Sequence, residues 1–426
     1  MTVEKTSQIR WLLIFWLFVL SAVAYLDRVN ISVAGTLLAR EFRLSNIQLG
    51  WIFSSFLAGY ALFQTPGGRL ADKLGARRVL ALAVIWWGLF SALTVFVPNG
   101  FQSALLAFMC LRFTLGAGEA VMYPASNQFV ARWIPSPERG LANGLIFAGV
   151  GVGASFTPPL VTYIMLRHGW RVPFLVCSVL GLFVGFVWYL IARNTPEEHS
   201  FVSPSELSKI KAGLPSSLES AKLIPWARML ESREVLAVTL SYFTYGYVAW
   251  IFFSWFYIYL TNVRGLNPKT SALYSTLPFV AMAACSLLGG LFNDALARKW
   301  GPRIGRGSIA TIALTLAAIF LIVGSRAENT QVAVLVLAGG AGALYLSQSS
   351  FWSVTADIGG ASAGSVSGLM NMGNQVGGMI STVLTPWVAL RVSWTAAFFV
   401  AAALSLCGAL AWLFVDPRKR LNAENL

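Results

Sequence analysis

The chain reads as long apolar stretches separated by short polar clusters. An α-helix needs about 20 mostly apolar residues to cross a bilayer. Stretches of that kind fall near 11–34, 47–67, 79–97, 102–125, 139–163, 171–192, 235–261, 270–291, 308–325, 331–355, 363–389 and 394–415. Membrane β-strands are far shorter and alternate strictly, so a β-barrel is excluded. The pattern predicts an all-α integral membrane protein with twelve spanning helices. The longest polar stretch, 193–234, contains Pro196, Pro204, Pro215 and Pro225. It predicts a cytoplasmic central loop. Residues 1–192 are then an N-terminal six-helix bundle and 235–426 a C-terminal one.

Composition agrees and narrows the function. Of the 426 residues, 57% are hydrophobic and only 11% charged, where a soluble domain carries about 25% charged residues. The deficit excludes a soluble enzyme or a nucleic-acid binder, although the net charge is +14. The basic residues test the topology. With both termini in the cytoplasm, twenty-one Lys and Arg fall in inner segments and eight in outer ones. That bias is the positive-inside rule. It predicts a multi-pass protein of a bacterial inner membrane, with the lipid bilayer as its surroundings. Ser21-Ala22-Val23-Ala24 resembles a signal-peptidase site. We expect no cleavage there, because the apolar stretch runs on and a cut would strand Asp27 and Arg28. Cys110, Cys177, Cys285 and Cys407 form no CxxC pair and read as packing residues. His168 and His199 both fall in loops, so neither a metal nor a cofactor is expected. No nucleophile–base pair or phosphate loop suggests an enzyme.

An internal repeat is visible. Gly67-Gly68-Arg69-Leu70-Ala71-Asp72-Lys73-Leu74-Gly75-Ala76-Arg77-Arg78 follows the second span. Gly289-Gly290-Leu291-Phe292-Asn293-Asp294, with Arg298 and Lys299 beyond, follows the eighth. Repeated six-helix halves mark a transporter, with its site between them near the midplane. Gly68 permits close helix approach, and Asp72 can cap a helix end or pair with a base.

These residues resemble the major facilitator superfamily, whose second loop reads G-x-x-x-D-[RK]-x-G-x-[RK]-[RK]. The resemblance implies a major facilitator fold. It also implies a cytoplasmic gate motif at Gly68, Asp72, Arg77, Arg78 and Asp294. Within the superfamily the chain is similar to the anion:cation symporters, such as bacterial galactonate, glucarate and hexuronate transporters. Tyr25-Leu26-Asp27-Arg28-Val29-Asn30, Phe53-Ser54-Ser55-Phe56 to Tyr60, Gln64-Thr65-Pro66-Gly67-Gly68 and Leu111-Arg112 to Glu119-Ala120 and Pro124 carry that likeness. Gly368-Leu369-Met370-Asn371 to Gly377-Gly378 extends it to the second half. The G-P-x-x-G-G element of drug–proton antiporters is absent from the fifth span, which counts against efflux. Galactonate-type members carry a glutamine where this chain has Val150, which weakens any reading as a galactonate carrier.

Four ionisable residues sit well inside spans: Asp27, Arg28, Arg112 and Glu119. A charge at the bilayer centre costs at least about 2.5–3.5 kcal/mol, so each must pair, face a cavity or work. Asp27 and Arg28 point about 100° apart, so one can face the cavity and the other a neighbouring helix. Arg112 and Glu119, about 10 Å apart along one face, are not expected to pair directly. A planar guanidinium suits a carboxylate, and Arg28 is the first candidate for the substrate anion. Asp27 and Glu119, with Arg112 beside them, are the candidates for proton coupling. Tyr25, Tyr60 and Asn371 match family cavity positions. Ser367, Asn371, Asn374 and Gln375 fall on one arc and can meet hydroxyl groups; Gln348 is a further candidate. The seventh span is densely aromatic from Tyr242 to Tyr259, and one or two of these rings are expected in the cavity. The reading is proton-coupled uptake of a small organic anion, such as a hexonate or hexuronate, by a monomer. An aromatic or dicarboxylic acid, or a ligand sensor without net transport, are the alternatives.

Overall fold

A computed structural model describes residues 7–44, 46–98, 103–214, 223–256, 259–260 and 263–421. The first half contains α1 (Ile9–Glu41), α2 (Asn46–Leu74), α3 (Ala76–Leu93), α4 (Ala104–Glu119, then Met122–Trp133), α5 (Arg139–His168) and α6 (Arg171–Ile191). The second half begins with α7 (Arg233–Ser254). Next comes Pro268–Arg326, one helical run in which Gly301 breaks α8 (268–300) from α9 (302–326). Then follow α10 (Thr330–Leu346 and Gln348–Gly359), α11 (Ala363–Arg391) and α12 (Trp394–Ala411).

Nine described stretches are long and apolar enough to cross a membrane. Two of them, Leu273–Arg326 and Thr330–Arg391, run to 54 and 62 residues, enough for two crossings each. The more polar α2 is outside the nine. The arrangement is consistent with twelve crossings. The helices are forced by solvent: backbone groups in hydrocarbon must be bonded within the segment, so each crossing is helical.

The breaks follow from local chemistry. Gly301 has φ +79°, which an L side chain resists, and Pro302 opens α9 where no N–H is needed. Gly75, at φ +83°, makes the matching turn between α2 and α3. In α4, Pro124 cannot donate to the carbonyl four residues back, and the helix opens at Ala120–Val121.

Small residues bring the halves together. α5 packs on α8, and α2 on α11. The Ser286 hydroxyl donates to the Gly144 carbonyl at 3.1 Å, a contact that the missing Cβ permits. A methyl group at Gly68 would overlap the Gly364 carbonyl. The fifth-span glycines Gly149 and Gly153 instead lie against the α1 backbone at Phe18 and Ala22.

Residues between α6 and α7 cover one end of the bundle. Glu206 is fully buried there. Its carboxylate accepts from the Ile9 and Arg10 amides at 3.1 and 3.2 Å and from the Arg10 guanidinium at 3.0 Å. It thereby serves the open N–H groups of α1. Further along, the Ile224 amide donates to the Ser362 hydroxyl at 2.9 Å, and its carbonyl accepts from Arg69 at 2.8 Å. One residue of the loop thus touches both halves.

His199 fixes the start of this segment. The Phe201 amide donates to its Nδ1 at 3.3 Å, so the ring proton sits on Nε2, 3.0 Å from the Ile191 carbonyl. Burial, with the charge of Arg193, lowers its pKa below the ordinary 6.5. A depressed folded value means the contribution is complete above 6.5 and is lost as pH falls through the folded value. Amide exchange at Phe201, corrected for intrinsic rate, should rise between about pH 7.5 and about pH 5. Equal protection at both would refute the assignment.

Candidate functional site

The first-half wall of the central cavity is built on Arg28. Its Nη2 donates to Glu119 Oε1 at 2.7 Å, bridging α1 and α4. The guanidinium carbon lies 4.5 Å from the Tyr25 ring centre, 4.6 Å from Tyr60 and 5.2 Å from Phe56. Such faces attract a cation most strongly where water is excluded. The pair is only partly satisfied: Arg28 Nε and Glu119 Oε2 are buried with no hydrogen-bond partner among the described residues. A guanidinium with open donors beside a cavity can take a second anion.

Asp27 points away, towards α3, where Ser91 donates to Oδ1 at 2.5 Å. Its other oxygen has no partner. Arg112 also lies over the Phe56 ring, 4.8 Å from its centre. Arg28, Tyr25 and Tyr60 therefore line the cavity; Asp27, Arg112 and Glu119 stand behind them. Both arginines share the Phe56 ring.

The opposite wall is neutral. Gln348, Asn371, Asn374 and Gln375 all reach the cavity. The Asn371 amide donates to Gln64 at 2.9 Å, and Asn374 donates to Asn371 at 3.3 Å. The Oε1 atoms of Gln348 and Gln375 and the Oδ1 of Asn374 are buried without partners. Ser367, expected on the same stripe, is elsewhere: its hydroxyl returns to its own helix, at the Ala363 carbonyl, 2.7 Å away. α7 contributes four rings, Tyr242, Tyr245, Trp250 and Phe253, and not the one or two expected. Its buried face turns inward onto α11 and α12, which a run of consecutive aromatics does not reveal. Tyr257 lies outside the described residues. Sequence reasoning also missed Phe147, Tyr345 and Trp352, which line the cavity with Tyr123 and Ala249. Val150 is buried but does not reach the cavity. About 30 Å³ of the cavity admits the centre of a water molecule, room for two or three waters at roughly 10–15 Å³ each. This is a contracted cavity.

Between the cavity and the basic end of the bundle, carboxylates cross from each half to the other. Asp72 accepts from the Gly364 and Ser365 amides at 2.9 and 2.8 Å, at the start of α11. Asp294 accepts from the Gly140 and Leu141 amides, both at 2.7 Å, at the start of α5. Two carboxylates in repeated motifs thus cap two helices of the opposite halves, where a negative charge is favoured by up to about 2 kcal/mol. Asp357 adds a third tie, accepting from Arg139 at 2.6 Å and also from Arg306. It fell just past the predicted end of the tenth span and was not singled out. Arg77 and Arg78, grouped with the gate by motif, do not take part. Arg77 donates to the Tyr189 carbonyl at 2.9 Å and stacks on that ring. Arg78 lies on the outer groove between α3 and α6. They begin α3, and their side chains follow its outer face.

Fold, repeat and crossing carboxylates define a two-halved membrane transporter. The chain belongs to the Major Facilitator Superfamily, whose family model matches residues 17–382; it is not an enzyme. Among its relatives are a probable sulfoacetate transporter of Cupriavidus necator, 35% identical over 93% of this chain and 91% of that one. A chloroplastic ascorbate transporter of Arabidopsis thaliana is 32% identical over 97% of this chain and 76% of its own. A hexuronate transporter of Bacillus subtilis is 29% identical, covering 95% and 94%. Such relatives match the anion:cation symporter resemblance. Among solved structures, a proton:xylose symporter bound to 6-bromo-6-deoxy-D-glucose aligns with TM-score 0.77 at 17% identity, over 97% of this chain and 98% of that one. That likeness concerns the fold.

The Asp357 tie gives a direct test. Replacing Asp357 with Asn removes the carboxylate that pairs with the buried Arg139 and Arg306, a change that costs about 3–5 kcal/mol in buried pairs. Asp357→Asn should lower the melting temperature in detergent markedly. A melting temperature equal to the unaltered protein's would show the cluster to be unimportant for stability.

Proposed function

We propose that the protein takes up a small organic anion, a sugar acid such as a hexonate or hexuronate, together with protons. The observation that carries this is the half-satisfied Arg28–Glu119 pair at the cavity wall. The relatives' printed substrates, sulfoacetate, ascorbate and hexuronate, support an anion. Arg28 receives the carboxylate between the faces of Tyr25 and Tyr60. Asn371, Gln375 and Gln348 meet the polar body of the substrate.

Coupling follows from electroneutrality. An incoming carboxylate competes with Glu119 for Arg28. A Glu119 released from its partner, in a dry site, holds a proton more readily. Substrate and proton then favour each other's binding, which is the thermodynamic content of symport. Asp27 and Arg112 supply a second acid and base behind the same wall. The ties through Asp72, Asp294 and Asp357 hold the cytoplasmic side shut, and must part for release inward. On this reading both termini lie in the cytoplasm, and the chain acts as a monomer in a bacterial inner membrane.

Two outcomes test the proposal in proteoliposomes. Uptake of labelled D-glucuronate or D-gluconate should accelerate when the outside is made acidic; indifference to both pH gradient and membrane potential would sink coupling. Arg28→Ala should reduce uptake at least about a hundredfold, since a lost charge-assisted bond leaves Glu119 buried and alone. Uptake unchanged in that variant would remove Arg28 as the anion's ligand.

A further inference from the structure

The neutral wall contains an arrangement more specific than a polar stripe. Tyr242, on α7, is buried against α10. Its hydroxyl oxygen lies 2.8 Å from Gln348 Nε2 and 3.0 Å from Trp352 Nε1. The indole nitrogen can only donate, and so can the amide nitrogen. A phenol oxygen has two acceptor lone pairs and one hydrogen. Both lone pairs are therefore occupied, and the hydrogen has no acceptor among these neighbours. Gln348, having spent one N–H on Tyr242, keeps its Oε1 buried without a partner. Both residues line the cavity.

The two groups thus present one donor, the Tyr242 O–H, beside one acceptor, the Gln348 carbonyl. An alcohol hydroxyl satisfies both together: its oxygen accepts from Tyr242 and its hydrogen goes to Gln348. A carboxylate or sulfonate does not, because it brings only acceptors and would lie against the amide oxygen. Neither does a methylene, which leaves both polar groups unpaired at a cost of about 1–3 kcal/mol for each. We propose that Tyr242 and Gln348 form a hydroxyl-reading subsite, with Trp352 as the positioning residue that fixes the direction of the Tyr242 proton. The subsite makes the transporter select hydroxylated monoanions over small dianions.

This rests on the proposed anion transport and deepens it. It also separates the chain from the relative named for sulfoacetate, which has an anionic group at each end and no alcohol. Arg28 holds the single anionic end, and the Tyr242–Gln348 pair rejects a second one.

The test is a specificity ratio, measured on the full chain in nanodiscs and proteoliposomes with D-gluconate, sulfoacetate and succinate as probes. D-Gluconate should bind at least tenfold more tightly than sulfoacetate or succinate. Tyr242→Phe keeps the ring and its stacking on Tyr245 and Phe351. It should weaken D-gluconate roughly tenfold or more, one charge-neutral bond and its orphaned partners being worth about that much, while sulfoacetate affinity stays level or improves. Gln348→Met, which removes the acceptor, should narrow the same ratio, and covers the case in which Tyr242→Phe does not fold. A structural role alone would weaken all three probes equally, and that result overturns the subsite. So does sulfoacetate or succinate binding as tightly as D-gluconate. Proton-driven uptake of a dianion without uptake of D-gluconate overturns this inference and leaves proton-coupled anion transport standing. Absence of uptake for every anion counts against that broader reading as well.

Discussion

A buried charge in this fold has no water to turn to, and most of the architecture answers that constraint. The Arg28–Glu119 pair, at 2.7 Å, joins α1 to α4 across the first half. Each charge alone would be expensive in hydrocarbon. Together they remain incomplete, with donor and acceptor atoms left over. A fully satisfied pair would be a rivet. A pair with spare capacity can exchange partners, and in the proposed function an anion or a proton is that partner. The Phe56 ring faces both Arg28 and Arg112, so two cations share one aromatic surface.

The same constraint acts differently at the basic end. There the carboxylates of Asp72 and Asp294 accept chiefly from the backbone at helix termini. Backbone N–H groups at a helix start carry partial positive charge and lack internal partners. A carboxylate from the other half answers both needs at once, and does so through groups that sequence cannot vary. Such ties are sound while the halves are apposed and vanish completely when they part. The loop residue Ile224, bonded to Arg69 and Ser362, must let go of one half in the same movement. Closure at this end is therefore distributed over several modest contacts, which suits an interface that has to open and reclose.

Much of the fold was legible because hydrocarbon imposes rules on sequence. Helix length, basic-residue bias and repeated loop motifs gave the helical architecture. The intramembrane charges were conspicuous for the same reason. What stayed hidden depends on contacts between residues far apart in the chain. Asp357 meets Arg139, 218 positions away, and no local pattern marks it. Arg77 and Arg78 fit a motif, yet helix α3 carries them outward. The α7 aromatics could not be divided between lipid and cavity without knowing that α7 packs on α11 and α12. Ser367 had the right spacing for the polar stripe but bonds to its own helix, as serine in a helix often does.

The repeated halves explain why one cavity can have two unlike walls. α4 opens just after Glu119, and α10 opens at Ser347, next to Gln348. An opened helix places a side chain at the midplane free of the regular packing of its neighbours, and transporter sites commonly use such helices. In the first half that place holds an acid paired with arginine; in the second it holds a neutral amide paired with a tyrosine. Charge on one side and neutral hydrogen bonding on the other let affinity and selectivity be adjusted separately. On the proposed reading, changing Arg28 decides whether an anion binds at all. On the same reading, changing the residues around Tyr242 decides which anion is preferred, because those groups contribute only when the substrate's far end matches them.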